Sequence, residues 1–200
     1  MSKSGPPLVE QRRSRVSKPS CARSSTRSAL RWFAAHTGGM RVHVGSDHAG
    51  LELKQRLVER LSELGYEVVD HGPAVFDAED DYPVFCLRAA EGVAADRASG
   101  VDALGVVIGG SGNGEQLAAN KVTGIRAALV WSDEAATLAR AHNDAWVAAV
   151  GARMHPTEDV IGFVETFLAT PFSGEARHAR RLAMLTAYET KGILPALPAG

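Results

Sequence analysis

The segment Ala103-Leu-Gly-Val-Val-Ile108 is small and apolar throughout, and it runs directly into Gly109-Gly110-Ser111-Gly112-Asn113-Gly114. Glu115-Gln-Leu-Ala-Ala-Asn120 follows, built from helix formers with a carboxylate in the first turn. An unbroken apolar run of this length suits a strand covered on both faces, the kind found in parallel sheets. Four glycines in six positions let backbone N–H groups turn toward an anion at the start of the helix. A glutamate there is unexpected in a dedicated anion site, because like charges repel. N–H donors for an oxyanion beside a base for a proton suit proton abstraction next to a carbonyl. The loop is not a Walker sequence, since no Gly-Lys-Ser/Thr closes it, and its alternating glycines miss the G-x-G-x-x-G spacing. At this point a tight strand-to-helix turn without a ligand is the alternative.

The same alternation of strand and helix extends along the chain. Strands are expected at 40–45, 66–70, 103–108, 126–130 and 145–150. Helices are expected at 51–64, with apolar residues at 53, 57, 61 and 64, then at 82–97, from the glycine loop through Asn120, from Ser132 or Asp133 to 141, at 156–168 and at 174–188. The fold class expected is α/β, a three-layer αβα sandwich with a Rossmann-like five-stranded parallel sheet in a single domain spanning 40–190. Trp131, Trp146, Phe163 and Phe167 fall where strand or helix cores should lie, and packing accounts for them.

Charge divides the chain unevenly. Eight of the 22 Lys/Arg but one of the 23 Asp/Glu lie in residues 1–39, so 40–200 carries 14 basic against 22 acidic residues, a net of -8. An acidic body argues against nucleic acid as its partner. Residues 1–39 read as a disordered Arg/Ser-rich extension resembling a transit peptide in composition, and 191–200 as a flexible tail. Met40 stands immediately before the first strand, so a translation start there, with 1–39 an upstream mis-assignment, is the simpler expectation. No apolar run approaches a membrane span. Cys21 and Cys86 make no disulfide framework, which fits a reducing cytoplasm, and Cys86 reads as a small core filler.

In open α/β sheets ligands bind outside the carboxyl ends of the strands. Asp47, His48, the glycine loop, Glu115 and Arg153 all fall there. With Asp47-His48-Ala49-Gly50, Gly110-Ser-Gly-Asn-Gly114, Ala118-Ala-Asn-Lys121, His142-Asn143 and Arg177-His178 in that order and spacing, residues 40–190 resemble the type B ribose-5-phosphate isomerases, in particular their actinobacterial branch.

The resemblance implies interconversion of ribose 5-phosphate and ribulose 5-phosphate through a cis-enediol(ate), with no metal or organic cofactor, in a homodimer whose site lies between subunits. Many relatives carry a cysteine where this chain has Gly109, so the glutamate branch implies Glu115 as the proton-transfer base. By the same resemblance, the N–H groups of Gly110, Ser111, Gly112, Asn113 and Gly114, with the Ser111 hydroxyl, hold the enediolate oxygens. It also implies that His142 opens the furanose ring as acid/base and Asn143 contacts the sugar. Asp47 would meet sugar hydroxyls or the ring oxygen, His48 the phosphate side, and Arg153, Arg177 and Arg181 would clamp the phosphate. Each role has a plainer alternative: Ser111 as a turn residue, Asp47 as a helix cap, His142 as a helix-end residue, the arginines as solvated cations.

His142 and Asn143 precede the fifth strand, at the edge opposite the glycine loop, so contribution from a partner protomer is expected on geometry too. His43, His71, His155 and His178 show no tight ligand spacing with Cys86, which gives no reason to expect a metal. An isomerase of a tetrose or hexose phosphate shares these parts and differs in pocket length. A non-catalytic phosphosugar sensor has no need of Glu115.

Overall fold

The computed structural model describes residues 39–197. The expectations for 1–38 and for the last three residues lie outside the described residues. Five strands, β1 (Arg41–Ser46), β2 (Glu67–Asp70), β3 (Ala103–Gly109), β4 (Ala127–Leu129) and β5 (Val147–Gly151), form one sheet in the order β2-β1-β3-β5-β4. Every neighbouring pair is parallel. Six helices alternate with them: α1 (Leu51–Glu63), α2 (Tyr82–Ala98), α3 (Asn113–Ala119), α4 (Asp133–Ala141), α5 (Thr157–Ala169) and α6 (Ala176–Lys191).

Alternate residues of the strands feed two cores, one on each face of the sheet. On one face Val42, Val44, Leu104, Val106, Ile108, Ala148 and Val150 pack with α1, α4 and α5. On the other, Val107, Val147 and Ala149 pack with Cys86, Ala89, Ala90 and Val93 of α2 and with Ala118 and Ala119 of α3. This three-layer arrangement follows from β3 and β5 being apolar at every position, which only a sheet covered twice can hide.

Local chemistry sets the boundaries. Gly65, at φ +90°, lets the chain leave α1. Ser132 caps α4 by accepting from the Ala135 N–H at 3.1 Å. Asn120 pairs with the edge strand through both its amide atoms, donating to the Ala127 carbonyl and accepting from the Ala127 N–H, each at 2.9 Å. Two details differ from expectation. Trp131 is 59% exposed rather than in a core, because Val130 is the last residue held to β5 at this sheet edge and the chain then passes to the Ser132 cap of α4. The last helix runs to Lys191, three residues beyond the expected end, where Gly192 at φ +65° stops it.

Burial is otherwise as the periodicity predicts: Phe167 is fully buried, Phe163 partly so, and the Trp146 ring is covered by the guanidiniums of Arg97 and Arg126, 4.1 and 4.6 Å from its centroid. Cys86 is a buried free thiol whose pKa is pushed upward by burial and by the nearby Glu115 and Asp47 carboxylates.

A polar chain runs through the interface between β1 and α2. His43 donates from Nε2 to Asp96 Oδ2 at 2.8 Å, and its Nδ1 shares a 2.8 Å hydrogen bond with His71 Nε2. Arg41 closes the far end on Asp96 at 2.8 and 2.9 Å. Gly92, in the middle of α2, is required here, since a Cβ would sit 2.4 Å from His43 Nδ1.

Burial, then the proximity of His43, lowers the His71 pKa; Asp70 opposes them, and Arg88 adds the smallest downward push. A histidine held neutral in the fold lets the unfolded chain take up protons first. Its stabilisation is therefore present above the ordinary histidine range, about 6.5, and is lost as pH falls through the lowered value. Urea unfolding between pH 7.5 and 5 should show stability falling on acidification, with a shallower slope in His71→Gln. A slope unchanged by that substitution would contradict it.

Candidate active site

The strand order places a topological switch point between β1 and β3. The chain leaves β1 toward β2 on one side and leaves β3 toward β5 and β4 on the other, so the loops after β1 and β3 diverge and open a crevice. Into it the first loop brings Asp47 and His48, the second brings Gly110 to Glu115, and the turn after β5 brings Arg153. Contact at this edge is close: a Cβ on Gly110 would lie 3.7 Å from the Arg153 side chain and 3.9 Å from Ala49. Backbone bonds lock the last turn to the loop, with the Ala152 N–H donating to the Gly109 carbonyl at 2.8 Å and the Arg153 N–H to that of Gly110 at 3.1 Å.

Glu115 is the centre of the crevice. It is 4% exposed, and its Oε2 is buried without a hydrogen-bond partner. The side chain folds back over Gly109, where a Cβ would stand 1.9 Å from Oε1 and 2.2 Å from Cδ. No residue but glycine at 109 is compatible with a carboxylate in that position. Burial raises the Glu115 pKa above the usual carboxylate range, and Asp47 adds to the effect. Backbone N–H groups at Glu115 and Gly112 partly oppose it. A carboxyl group in this state is a better proton acceptor than a solvated one.

The loop beside it is shaped by contact as well as by glycine's freedom. Gly112 sits at φ +82° with Leu129 2.7 Å from where a Cβ would be, and a Cβ on Gly114 would meet the Tyr82 ring at 2.7 Å. Ser111 is exposed, and its Oγ accepts from the Asn113 N–H and side-chain amide, both at 3.3 Å, which is the behaviour of a turn residue. Asp47 does cap the following turn, as the plainer reading expects: Oδ1 accepts from Ala49 N at 3.0 Å and Gly50 N at 3.2 Å. Its other oxygen takes no part in that cap. Among the described residues Arg153 makes no ion pair.

Two residues near the crevice carry no signal in the sequence. Asp80, one of four acids in a polar loop, accepts from both the backbone N–H and Nδ1 of His48. Tyr82 overlies the glycine loop. Asp47, His48 and Asp80 each offer a ligand atom within 4.8 Å of the others, a grouping that spacing could not reveal because Asp80 lies 32 residues from His48. Nδ1 of His48 and Oδ1 of Asp80 are satisfied by one another there.

The remaining candidate residues stand elsewhere. Val147, at the start of β5, pairs with Gly105, whereas the loop begins at Gly109, four residues or about 13 Å further along the strand. His142 and Asn143 lie before β5, so they are at the amino end of the sheet. The His142 ring packs on that of His178 with centroids 4.2 Å apart, and Ser173 Oγ bonds His178 Nδ1 at 2.9 Å. Arg177 and Arg181 project from the same helix into solvent, Arg177 ion-paired with Glu175 at 2.8 Å. The chain therefore carries two separate clusters, one at each end of the sheet.

Residues 42–185 match the family described as Ribose/Galactose Isomerase. The chain belongs to that family. It is 50% identical over 160 residues to ribose-5-phosphate isomerase B of Mycobacterium tuberculosis, covering 80% of this chain and 96% of that one. The enzyme of the same name from Mycobacterium leprae is 47% identical over 160 residues, with the same coverage. Among solved structures, ribose-5-phosphate isomerase B from Mycoplasma genitalium, with bound ribulose-5-phosphate, is similar with a TM-score of 0.71 at 39% identity. The match covers 76% of this chain and 97% of that one. The Clostridium thermocellum ribose-5-phosphate isomerase B gives 0.70 at 39% identity, covering 77% of this chain and all of that one.

In this member of the family the raised Glu115 pKa has a thermodynamic consequence. The folded state holds that proton more tightly than the unfolded chain, so ionising Glu115 costs stability as pH rises above about 4.5. Glu115→Gln removes the buried charge and should raise Tm at pH 7 by a few degrees, roughly 2–4 °C per kcal/mol recovered. Thermal unfolding checks this, and a lower Tm in the variant would contradict it.

Proposed function

We propose that this protein interconverts ribose 5-phosphate and ribulose 5-phosphate, with Glu115 as the base. The carrying observation is the buried, unpartnered carboxyl oxygen of Glu115 above the side-chain-free position 109, beside a row of loop N–H groups. In the open-chain aldose, Glu115 takes the C2 proton and returns it at C1, while the O2 hydroxyl proton passes to O1. Between these steps the negative charge rests on O1 and O2, next to the N–H groups of Gly110 to Gly114 and the Ser111 hydroxyl. Asp47, through the oxygen not used in its cap, accepts a sugar hydroxyl. His48 and Arg153 hold the far end of the ligand.

In this reading His142 opens the furanose ring, Asn143 contacts the sugar, and Arg177 and Arg181 clamp the phosphate, all four supplied by a second protomer. Two features support a homodimer of this kind. The first is the separation of the two clusters along the sheet. The second is the exposed apolar surface that each cluster carries: Leu117, Trp131 and Met154 around the glycine loop, and Met184, Leu185, Tyr188 and Ile193 along and beyond α6. No helix among the described residues is long and apolar enough to cross a membrane. The setting in this reading is the cytoplasm, where a free Cys86 thiol is stable.

A coupled assay across pentose, tetrose and hexose phosphates tests the substrate. Activity on ribose 5-phosphate should dominate, and Glu115→Gln should lower kcat by about 10²–10⁴-fold while phosphosugar binding persists. Silence on every sugar would favour a sensor, and preference for another chain length would replace the substrate. Shared sites make a second prediction. Glu115→Gln and His142→Ala, each inactive alone, should regain about a quarter of wild-type activity after mixing and subunit exchange, because a two-fold hybrid has one intact site. Mixtures that stay inactive despite proven exchange would contradict the shared site.

A further inference from the structure

Asp80 is held close to the crevice, within 4.8 Å of ligand atoms of Asp47 and His48. Its side chain is 9% exposed, and Oδ2 is buried with no hydrogen-bond partner. Oδ1 alone carries its contacts: it accepts from the His48 backbone N–H at 2.9 Å and from His48 Nδ1 at 2.7 Å. A carboxylate only accepts, so the Nδ1 hydrogen is on the imidazole. We propose that Asp80 is the positioning residue for His48, fixing the ring and leaving Nε2 as the one nitrogen that can face the substrate.

Geometry supports this in three ways. First, bonding the backbone and the ring of the same residue to one oxygen restrains both the turn and the side-chain torsions, which a ring bond alone would not do. Secondly, Phe76 meets the imidazole in a T-shaped contact, with centroids 5.9 Å apart and ring planes 85° apart, and limits its movement. Thirdly, a buried acceptor left without a donor is costly. Oδ2 bears that cost here, and the two bonds to His48 are what Asp80 makes in return.

The loop bearing Asp80 is anchored independently of His48. Lys54 Nζ donates to the Pro73 carbonyl at 2.7 Å and to Asp70 at 2.7 and 2.8 Å. The Ser46 N–H donates to the Gly72 carbonyl at 3.1 Å, and the Asp80 N–H to that of Asp77 at 3.2 Å. Substituting Asp80 therefore tests its contact with His48 more than the path of the loop.

The inference rests on the proposed function, in which His48 touches the substrate. It is tested by kcat and KM for ribose 5-phosphate in His48→Ala, Asp80→Ala, Asp80→Asn and the His48→Ala/Asp80→Ala double variant, together with imidazole ¹⁵N–¹H correlation spectra. Asp80→Ala should raise KM about ten- to hundredfold with kcat nearly unchanged, and the His48 ring should lose its fixed Nδ1–H form. Asp80→Asn keeps an acceptor oxygen and should restore most of the affinity. In the His48→Ala background, removing Asp80 should add nothing.

Wild-type KM in Asp80→Ala, or an Asp80 effect that persists in full without His48, would overturn the positioning role. An unchanged KM in His48→Ala would overturn the contact of His48 with substrate, and this inference with it. Loss of turnover in Glu115→Gln would meanwhile still stand for the reaction itself. If Asp80→Ala fails to fold, Asp80→Asn and the wild-type imidazole spectrum decide: a ring without a persistent Nδ1–H overturns the proposal.

Discussion

Glu115 can keep a carboxyl group inside this protein because position 109 has no side chain. The strand leading to it is apolar at every position and buried on both faces, which delivers the backbone to the sheet edge in one register. Gly109 then leaves a space the size of a side chain, and the glutamate from the first turn of α3 fills it from the opposite direction. The carboxylate loses water without gaining a compensating cation, so its proton affinity rises. An acid in that condition is costly to the fold, and the neighbouring turn is built to tolerate it. Gly112 and Gly114 allow Leu129 and Tyr82 to close over the loop, and backbone N–H groups at Gly112 and Glu115 supply the polar contacts that remain.

Sheet order accounts for where the other candidate residues stand. Because β1 and β3 are neighbours whose chains leave in opposite directions, Asp47, His48 and Glu115 meet at one crevice although they are some 70 residues apart in sequence. Because β5 is parallel to β3, residues that precede it are carried to the opposite end of the sheet. His142 and Asn143 are separated from the glycine loop for that reason, and α6 follows them through the packing of His178 on His142. In the proposed function a second protomer unites the two clusters. The exposed apolar residues beside each one are where such a partner would sit.

Much of this was legible in the chain itself. The apolar runs at 103–108 and 145–150 announce a doubly covered parallel sheet, whereas the link between Gly109 and Glu115 came only through the resemblance to relatives with a cysteine at that position. Asp80 was not legible, since among Asp77, Glu79, Asp80 and Asp81 only the path of the loop selects which acid meets His48. Trp131 misled because an aromatic residue after an apolar strand normally continues the core. Here β4 is an edge strand three residues long; Val130 after it is still buried, and Trp131, one residue further, is exposed. The His43–His71 contact was hidden for a related reason: residues on adjacent strands meet by register, which the spacing of histidines does not encode. Contacts made along one segment can thus be read from pattern, while contacts between segments need the topology.

The protonation behaviour of Glu115 tests the whole account most directly. Carboxyl ¹³C titration of the glutamate-labelled protein, assigned by comparison with Glu115→Gln, should show one carboxyl titrating clearly above the ordinary value near 4.3, and the acidic limb of kcat/KM should follow the same ionisation in the free enzyme. A Glu115 that titrates at or below the ordinary value, or an acidic limb that ignores it, would mean that the buried carboxyl is not the group that moves the proton.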